Sequence, residues 1–228
     1  MENKREHSTN HAIPKTPKEI IVNSLTELFA DDEFGFDMFI MMKTVEPSMK
    51  HFAFYEGPTG REHDFKLKVQ NSIVKSIRDL FLDEEAEYAM AEEAGGNQNI
   101  FYIIKQNDDY KPFELLNTPE KQMGPFFMDD RDKADAILFR FRRGVHSIWA
   151  YQYILPATIP NKKNQHFFAR ILDTEQTDCF VEMPEQLFVI TRKVDLLIMD
   201  DKIITKDIGL MQRHFGFNDF IKASAKKA

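Results

Sequence analysis

The segment from Ala136 to Leu172 carries the side chains best suited to binding a nucleic acid. It contains six basic residues and no acidic residue. Lysine and arginine neutralise phosphates, and that contact supplies most of the affinity of non-specific nucleic-acid binding. We therefore take as candidate phosphate contacts all six cations of the segment: Arg140, Arg142, Arg143, Lys162, Lys163 and Arg170.

Aromatic residues alternate with these cations in the same segment. In a strand, Arg140 and Arg142 share one face because successive side chains point to opposite sides, and Arg143 continues the charge into a turn. On the next strand Trp149 and Tyr151 share a face and are candidates for stacking on bases. The alternative is equally concrete, since arginines are common on solvent faces and aromatic residues are common in cores.

A second candidate for an interaction site is the acidic segment from Asp83 to Glu93, which holds six carboxylates and no basic residue. Such a segment could mimic nucleic acid or dock on a basic partner, which would make the chain a protein-interaction module or an inhibitor. The alternative is a solvated helix face, because the run follows a predicted helix and would prolong or cap it.

Metal-dependent nuclease chemistry needs carboxylates on neighbouring strands, often with a nearby lysine. Asp195, Asp200, Asp201 and Lys202 lie on one predicted hairpin, although the middle two are also typical turn residues. No pair of histidines has helical zinc spacing, and no phosphate-binding glycine loop or nucleophile elbow occurs. Cys179 is the single cysteine, so we expect a core role for it. We predict no cofactor and no metal. Enzymatic activity is not expected, with a weak nuclease at this hairpin as the open alternative.

The composition of the chain limits its possible partners and its cellular location. The net charge of −7 argues weakly against wholesale nucleic-acid binding. Apolar stretches are much shorter than the roughly 20 residues of a membrane helix, and the polar residues 1–15 lack the apolar core of a secretory signal. We therefore expect a disordered lead-in and a cytoplasmic protein.

Hydrophobic spacing predicts the elements of the first half. Thr16, Pro17 and Glu19 form the signature of a helix start, and this helix should reach Ala30. Phe36–Lys43 is typical of a buried strand, and His51–Tyr55 is a second candidate strand. Apolar residues three and four apart predict a long helix from His63 to Leu82.

The second half is predicted to be mainly strands followed by a helix from Asp207. Strands are expected at Asn99–Lys105, Ala136–Arg142, Val145–Leu155, His166–Leu172, Asp178–Glu182, Gln186–Thr191, Val194–Met199 and Lys202–Thr205. Short turns at Gly144 and at Asp200–Asp201 require antiparallel pairing. The expected fold class is α+β, with an antiparallel β-meander or partly open barrel in the second half.

The predicted barrel or meander is flanked by N-terminal helices and a C-terminal helix. We divide the chain into the lead-in 1–15, a helix-rich part 16–96 and a sheet part 97–228, which together form one compact domain. Phe215, Phe217 and Phe220 on the final helix suit either the core or a homodimer.

The order of segments resembles a known family. The residues concerned are Ala134-Asp135-Ala136-Ile137, His146-Ser147-Ile148-Trp149-Ala150-Tyr151, Lys162-Lys163, Val194-Asp195-Leu196-Leu197-Ile198, Lys202-Ile203-Ile204 and Phe215-Gly216-Phe217-Asn218-Asp219-Phe220. From about Asn97 to Ala225 the chain is similar to KwaB, the cytosolic component of bacterial Kiwa anti-phage defence.

The resemblance implies a defence effector that binds DNA and works with the membrane protein KwaA, which would recruit it to the inner face of the membrane. It implies no conventional nuclease site and transfers no catalytic residue. Members of the family continue into a further helical region, so we expect either a truncated chain or a shorter relative.

Overall fold

A computed structural model describes residues 16–31, 33–42, 48–51, 61–91, 100–117, 122–126, 133–144, 146–154, 166–169 and 188–227. The helices are α1 (Pro17–Leu28), α2 (Arg61–Phe81), α3 (Ile208–His214) and α4 (Phe217–Lys227), with a short 3-10 helix at Glu114–Asn117. The strands are β1 (Gly35–Met42), β2 (Ser48–His51), β3 (Glu87–Met90), β4 (Ile100–Lys105), β5 (Gln122–Pro125), β6 (Ala134–Arg143), β7 (His146–Tyr153), β8 (His166–Ala169), β9 (Phe188–Thr191), β10 (Leu196–Met199) and β11 (Lys202–Thr205).

Nine of the described strands form one open sheet in the order β3-β4-β11-β10-β7-β6-β1-β2-β5. The two outermost pairs, β3 with β4 and β2 with β5, are parallel, and the inner pairs are antiparallel. The expected α+β class is confirmed. The meander or barrel confined to the second half is wrong, because β1, β2 and β3 join the same sheet and β1 lies beside β6 near its centre. Strands from both sides of the predicted boundary at residue 97 are thus hydrogen-bonded together.

Helices cover both faces of the sheet, which explains why β1 is apolar along almost its whole length. On the first face, α1 and α2 pack their buried residues against Phe139, Phe141 and Ala150. On the second face, Leu210 and Met211 of α3 and Phe217 of α4 belong to the same buried cluster as Tyr151. The central strands are therefore buried on two sides, as a three-layer arrangement requires.

Local sequence signals locate the ends of several elements. The Thr16 hydroxyl accepts a 3.2 Å hydrogen bond from the Glu19 main chain, and the Glu19 carboxylate accepts a 2.6 Å bond from the Thr16 main chain. This capping box confirms the predicted start of α1. The β6–β7 and β10–β11 turns are also confirmed, with φ of +58° at Gly144 and +49° at Asp200.

The described part of the acidic segment, residues 83–91, does not prolong α2, which corrects the sequence-based expectation. The helix α2 ends at Phe81, Asp83 to Ala86 form a turn, and Glu87 begins the edge strand β3. Four-residue strands carry too little periodicity to be separated from a helix extension. The strand β5 was not predicted, and the predicted final helix is divided into α3 and α4 at Phe215 and Gly216. Several other elements begin or end a few residues away from the predicted positions. Residues 1–15, the predicted strand Asp178–Glu182 and Cys179 lie outside the described residues.

The C-terminal helices serve the core. Phe217 is buried, and Phe215 and Phe220 pack against the second-face cluster. Phe215 contacts Phe113 with ring centroids 4.7 Å apart, and Phe220 stacks on Tyr110 at 4.8 Å. These contacts assign the three phenylalanines to the core, and a homodimer stays a prediction. Among the described residues, no helix combines the length and the apolar character needed to cross a lipid bilayer.

Candidate nucleic-acid interface

Three neighbouring strands bring an acid, a base and an indole into one row on the second face. The pairing of β1 with β6 sets Asp37 opposite Arg140, and the pairing of β6 with β7 sets Arg140 opposite Trp149. Directly opposed residues share a face of the sheet. The alternation predicted for β6 and β7 is therefore confirmed, and β1 adds the carboxylate.

Arg140 is held on all sides. Its Nε and Nη2 donate to the same carboxylate oxygen of Asp37 at 3.1 and 2.8 Å. Its guanidinium lies 4.9 Å from the ring centroid of Phe39 and 5.2 Å from that of Trp149. The side chain is only 18% exposed, so Arg140 acts first as a cross-strand clamp.

Arg142 is the accessible member of the network. Its Nη2 lies 2.9 Å from the Asp37 oxygen that Arg140 also contacts, and its side chain is 51% exposed. Two guanidinium groups therefore share one carboxylate, which leaves one net positive charge at the sheet surface. We call Asp37, Arg140 and Arg142 the shared-carboxylate cluster.

Arg143 points to the other side of the sheet, toward α1. Its Nη1 donates to the main-chain carbonyl of Glu27 at 2.9 Å, and its Nη2 donates to the Asp31 carboxylate at 2.5 Å. A hydrogen bond from the Glu33 main chain, followed by this contact with Arg143, lowers the pKa of Asp31. The three arginines are thus divided between two faces, which strand alternation allows at the end of β6.

The two predicted stacking residues are part of the core. Trp149 is 6% exposed and Tyr151 is 0% exposed. Tyr151 packs edge-on against Phe113 and Phe215, with centroid distances of 5.8 and 5.7 Å. Burial, with smaller contributions from the charges of Asp135 and Asp195, raises the pKa of Tyr151. Neither ring offers an open face to a base in this structure.

The remaining three candidate cations, Lys162, Lys163 and Arg170, lie outside the described residues. Their contribution to the interface stays a prediction from the sequence.

The predicted nuclease hairpin does not gather its carboxylates. Asp195 precedes β10, where it accepts a 2.8 Å hydrogen bond from the Tyr153 main chain and pairs with Lys193. Asp200 and Asp201 lie beyond the other end of β10, and Asp201 pairs with Lys202 at 2.5 Å. Four strand residues separate the two ends by about 13 Å. Within the described part of the chain, no group of three metal-ligating side chains is close enough to hold an ion.

Sequence reasoning missed Asp37, which determines how both arginines are held. The available signal was a lone carboxylate inside an apolar strand, since a charged residue in such a position is seldom buried without a partner. The identity of that partner could not be read, because Arg140 lies 103 residues further along the chain.

The fold and this site define an α+β protein with a helix-covered, mostly antiparallel sheet and a cationic cluster on its central strands. Residues 131–228 match the family model described as "Kiwa protein KwaB-like". The chain therefore carries a KwaB-like domain over these residues. The predicted resemblance is confirmed, although the match begins at residue 131 and not near Asn97. No curated protein and no solved structure shows significant similarity to the chain.

Proposed function

We propose that this KwaB-like protein binds DNA and that the shared-carboxylate cluster forms part of the contact surface. The observation that carries the proposal is the ratio of two guanidinium groups to one carboxylate, with Arg142 half exposed. An excess positive charge fixed on a rigid sheet attracts a phosphate without a further ordering cost. Arg140 contacts the same Asp37 oxygen as Arg142 and so helps to fix the position of the carboxylate that holds Arg142.

The proposed surface extends beyond this cluster. The sequence adds Lys162, Lys163 and Arg170 as candidate phosphate contacts, whereas Arg143 lies on the opposite face of the sheet, where it contacts Asp31. Because Trp149 and Tyr151 are buried, the structure supports phosphate contacts better than base stacking. Binding is therefore expected to depend strongly on salt and weakly on base sequence.

A membrane partner, KwaA, forms the second part of the proposal. It is supported by the KwaB-like domain alone, and co-purification from membranes of cells that express both proteins tests it. The alternative of a nucleic-acid mimic receives less support, because Asp83, Glu84 and Glu85 lie in a turn and Glu87 lies on a strand. These four carboxylates do not form the single helical face that a mimic would use.

Fluorescence anisotropy with labelled double- and single-stranded DNA at two salt concentrations tests DNA binding. We expect salt-sensitive binding that Arg142→Ala weakens several-fold. The matched control is Arg213→Ala, which removes the same charge from a side chain that is 64% exposed and also paired with one aspartate. Arg213 belongs to α3, which contacts the far end of β7 through His214 and Tyr153. Equal loss in both variants, or no binding by the folded protein, would refute the proposed surface.

A further inference from the structure

A cleft of about 310 Å³ opens on the first face, where the β6–β7 turn, the β10–β11 turn and the last turns of α1 meet. Its floor is apolar and consists of Leu28, Ile148 and Met199, which are all buried. A volume near 300 Å³ lies at the lower end of the range for small-molecule sites. The cleft is therefore large enough for a single flat ring system with a small substituent.

The rim of the cleft is polar and comes from three elements. Helix α1 contributes Ser24 and Glu27, which lie on the same face as Leu28 because residues three and four apart are neighbours on a helix. The remaining rim residues are Arg143, Gly144, His146 and Ser147 from the β6–β7 turn and Asp200 from the β10–β11 turn. The positive φ angles at Gly144 and Asp200 give both turns the tight geometry of two-residue hairpins.

The charged side chains of the rim indicate which ligand groups it can bind. Arg143 is already neutralised by Asp31, whereas the side chains of Glu27 and Asp200 form no ion pair with another described residue. Ser24, Ser147 and His146 can donate or accept hydrogen bonds, whereas the carboxylates of Glu27 and Asp200 can only accept them when ionised, and these two acids favour a ligand with N–H donors. A carboxylate has two oxygens that can accept a pair of parallel hydrogen bonds.

Among the nucleic-acid bases, guanine fits this pattern best. Its N1–H and N2 amine form adjacent donors that match the two oxygens of one carboxylate. Its O6 and N7 are acceptors of the kind that arginine contacts. Adenine and cytosine each offer a single amine beside an acceptor, which a carboxylate would repel.

We propose that this cleft binds a guanine nucleotide. The base lies against Leu28, Ile148 and Met199, its N–H edge faces Glu27 or Asp200, and its phosphate leaves toward solvent beside the β6–β7 turn. The floor and turns come largely from the KwaB-like region 131–228, but Ser24, Glu27 and Leu28 lie outside it. The N-terminal helix therefore completes the site.

Calorimetric titration of the full chain with guanosine monophosphate tests the inference. We expect binding at least about tenfold tighter than that of inosine monophosphate, which lacks the N2 amine, because a hydrogen bond to a charged group contributes roughly this much. Adenosine and cytidine monophosphates should bind more weakly still. Equal affinity for all four nucleotides, or no binding to the folded protein, would overturn the inference.

Two conservative variants identify the carboxylate. Asp200→Asn keeps a residue type that tolerates positive φ, and Glu27→Gln keeps the length of the side chain, so both should fold. We expect one of them to lose at least about tenfold in affinity and the double variant to lose detectable binding. Glu33→Gln, an exposed neighbour outside the cleft, is the matched control. Unchanged affinity of the double variant would contradict the proposal.

The guanine could come from a free nucleotide or from an unpaired base in DNA, and the second source rests on the proposed DNA binding. A duplex with one unpaired guanine, compared with the same duplex carrying an unpaired cytosine, distinguishes them. Preference for the guanine duplex that guanosine monophosphate competes away supports the DNA source. Nucleotide binding without that preference supports the free ligand. If the chain binds DNA but prefers guanine neither in the nucleotide titration nor in the duplex comparison, the cleft site alone is overturned. If the chain binds guanosine monophosphate but does not bind DNA, the DNA proposal alone is overturned.

Discussion

Replacing Asp37 with asparagine should make the protein less stable and yet improve its binding to DNA. In the native structure the carboxylate accepts three contacts between 2.8 and 3.1 Å from Arg140 and Arg142. At an effective dielectric constant near 20, two charges about 4 Å apart attract each other by about 4 kcal/mol. Desolvation and partial exposure offset roughly half of this, so we expect Asp37→Asn to lower the free energy of unfolding by about 2 kcal/mol.

Urea unfolding followed by tryptophan fluorescence measures this loss directly. Trp149 is the only tryptophan of the chain, and its ring lies 5.2 Å from the Arg140 guanidinium. The matched control is Asp79→Asn, which removes a carboxylate from an exposed pair with Lys75 and should cost less than about 0.5 kcal/mol. Both variants change the net charge equally, so a difference between them reflects the shared-carboxylate cluster.

The same variant changes DNA binding in the opposite direction. Without Asp37, the net charge of the cluster rises from one to two positive charges, so affinity should rise and the salt dependence should steepen by about one phosphate contact. Asp79→Asn should give only the small increase expected from net charge. Equal urea midpoints for Asp37→Asn and the native protein would refute the structural role of the cluster. Weaker DNA binding by Asp37→Asn would refute the view that this carboxylate competes with phosphate.

Three further substitutions test individual features of the fold. Tyr151→Phe removes a buried hydroxyl that has no hydrogen-bond partner among the described residues, and it should raise the free energy of unfolding by about 1 kcal/mol. Tyr88→Phe removes a 2.6 Å hydrogen bond to a main-chain carbonyl and should lower the free energy of unfolding by about as much in the same urea assay. Thr16→Ala breaks the capping box and should cost about 1 kcal/mol, measured as a lower thermal midpoint; retention of the native midpoint would contradict the cap. Because the pKa of Asp31 is lowered in the folded protein, its contribution is present above about pH 4 and is lost as the pH falls through the folded pKa. Asp31→Asn should therefore lessen the loss of stability between pH 5 and 3 in urea titrations, and an unchanged pH profile would count against the contact with Arg143.

Short-range patterns predicted most of the elements. The Thr16 capping box, the apolar spacing of α2 and the glycine turn after Arg143 each involve residues within a few positions of one another. Their physical causes are local, and the structure confirms them. The strand alternation that separates Phe139 from Arg140 is of the same kind.

Long-range pairing could not be predicted in this way. Nothing in the sequence of β1 shows that it pairs with β6 and not with a neighbouring hairpin, so the sheet was wrongly confined to the second half. The edge strands β3 and β5 have four residues each, and β3 is stabilised by its neighbour β4 more than by its own pattern. The acidic run before β3 therefore looked like the continuation of a helix.

The alternation of side chains along a strand predicted which face of the sheet carries Trp149 and Tyr151, but it did not predict how exposed they are. Trp149 and Tyr151 share a face with Arg140, as expected. That face is covered at the Tyr151 end by α3, α4 and Phe113, and at the other end by the guanidinium of Arg140 itself. Whether a sheet face is open depends on packing between distant segments, and a local pattern does not report it.

The position of the arginines relative to the KwaB-like region has a consequence for both proposed sites. Arg140, Arg142 and Arg143 belong to residues 131–228, but the groups that hold them come from outside this range: Asp37 from β1, and Asp31 and the Glu27 carbonyl from α1 and its C-terminal end. Adjacent residues of β6 thus direct Arg142 to the proposed phosphate surface on one face and Arg143 to the proposed guanine cleft on the other. Since the N-terminal elements set the orientation and the net charge of both arginines, changes in the N-terminal half should alter what both proposed sites bind even when the arginines themselves are unchanged.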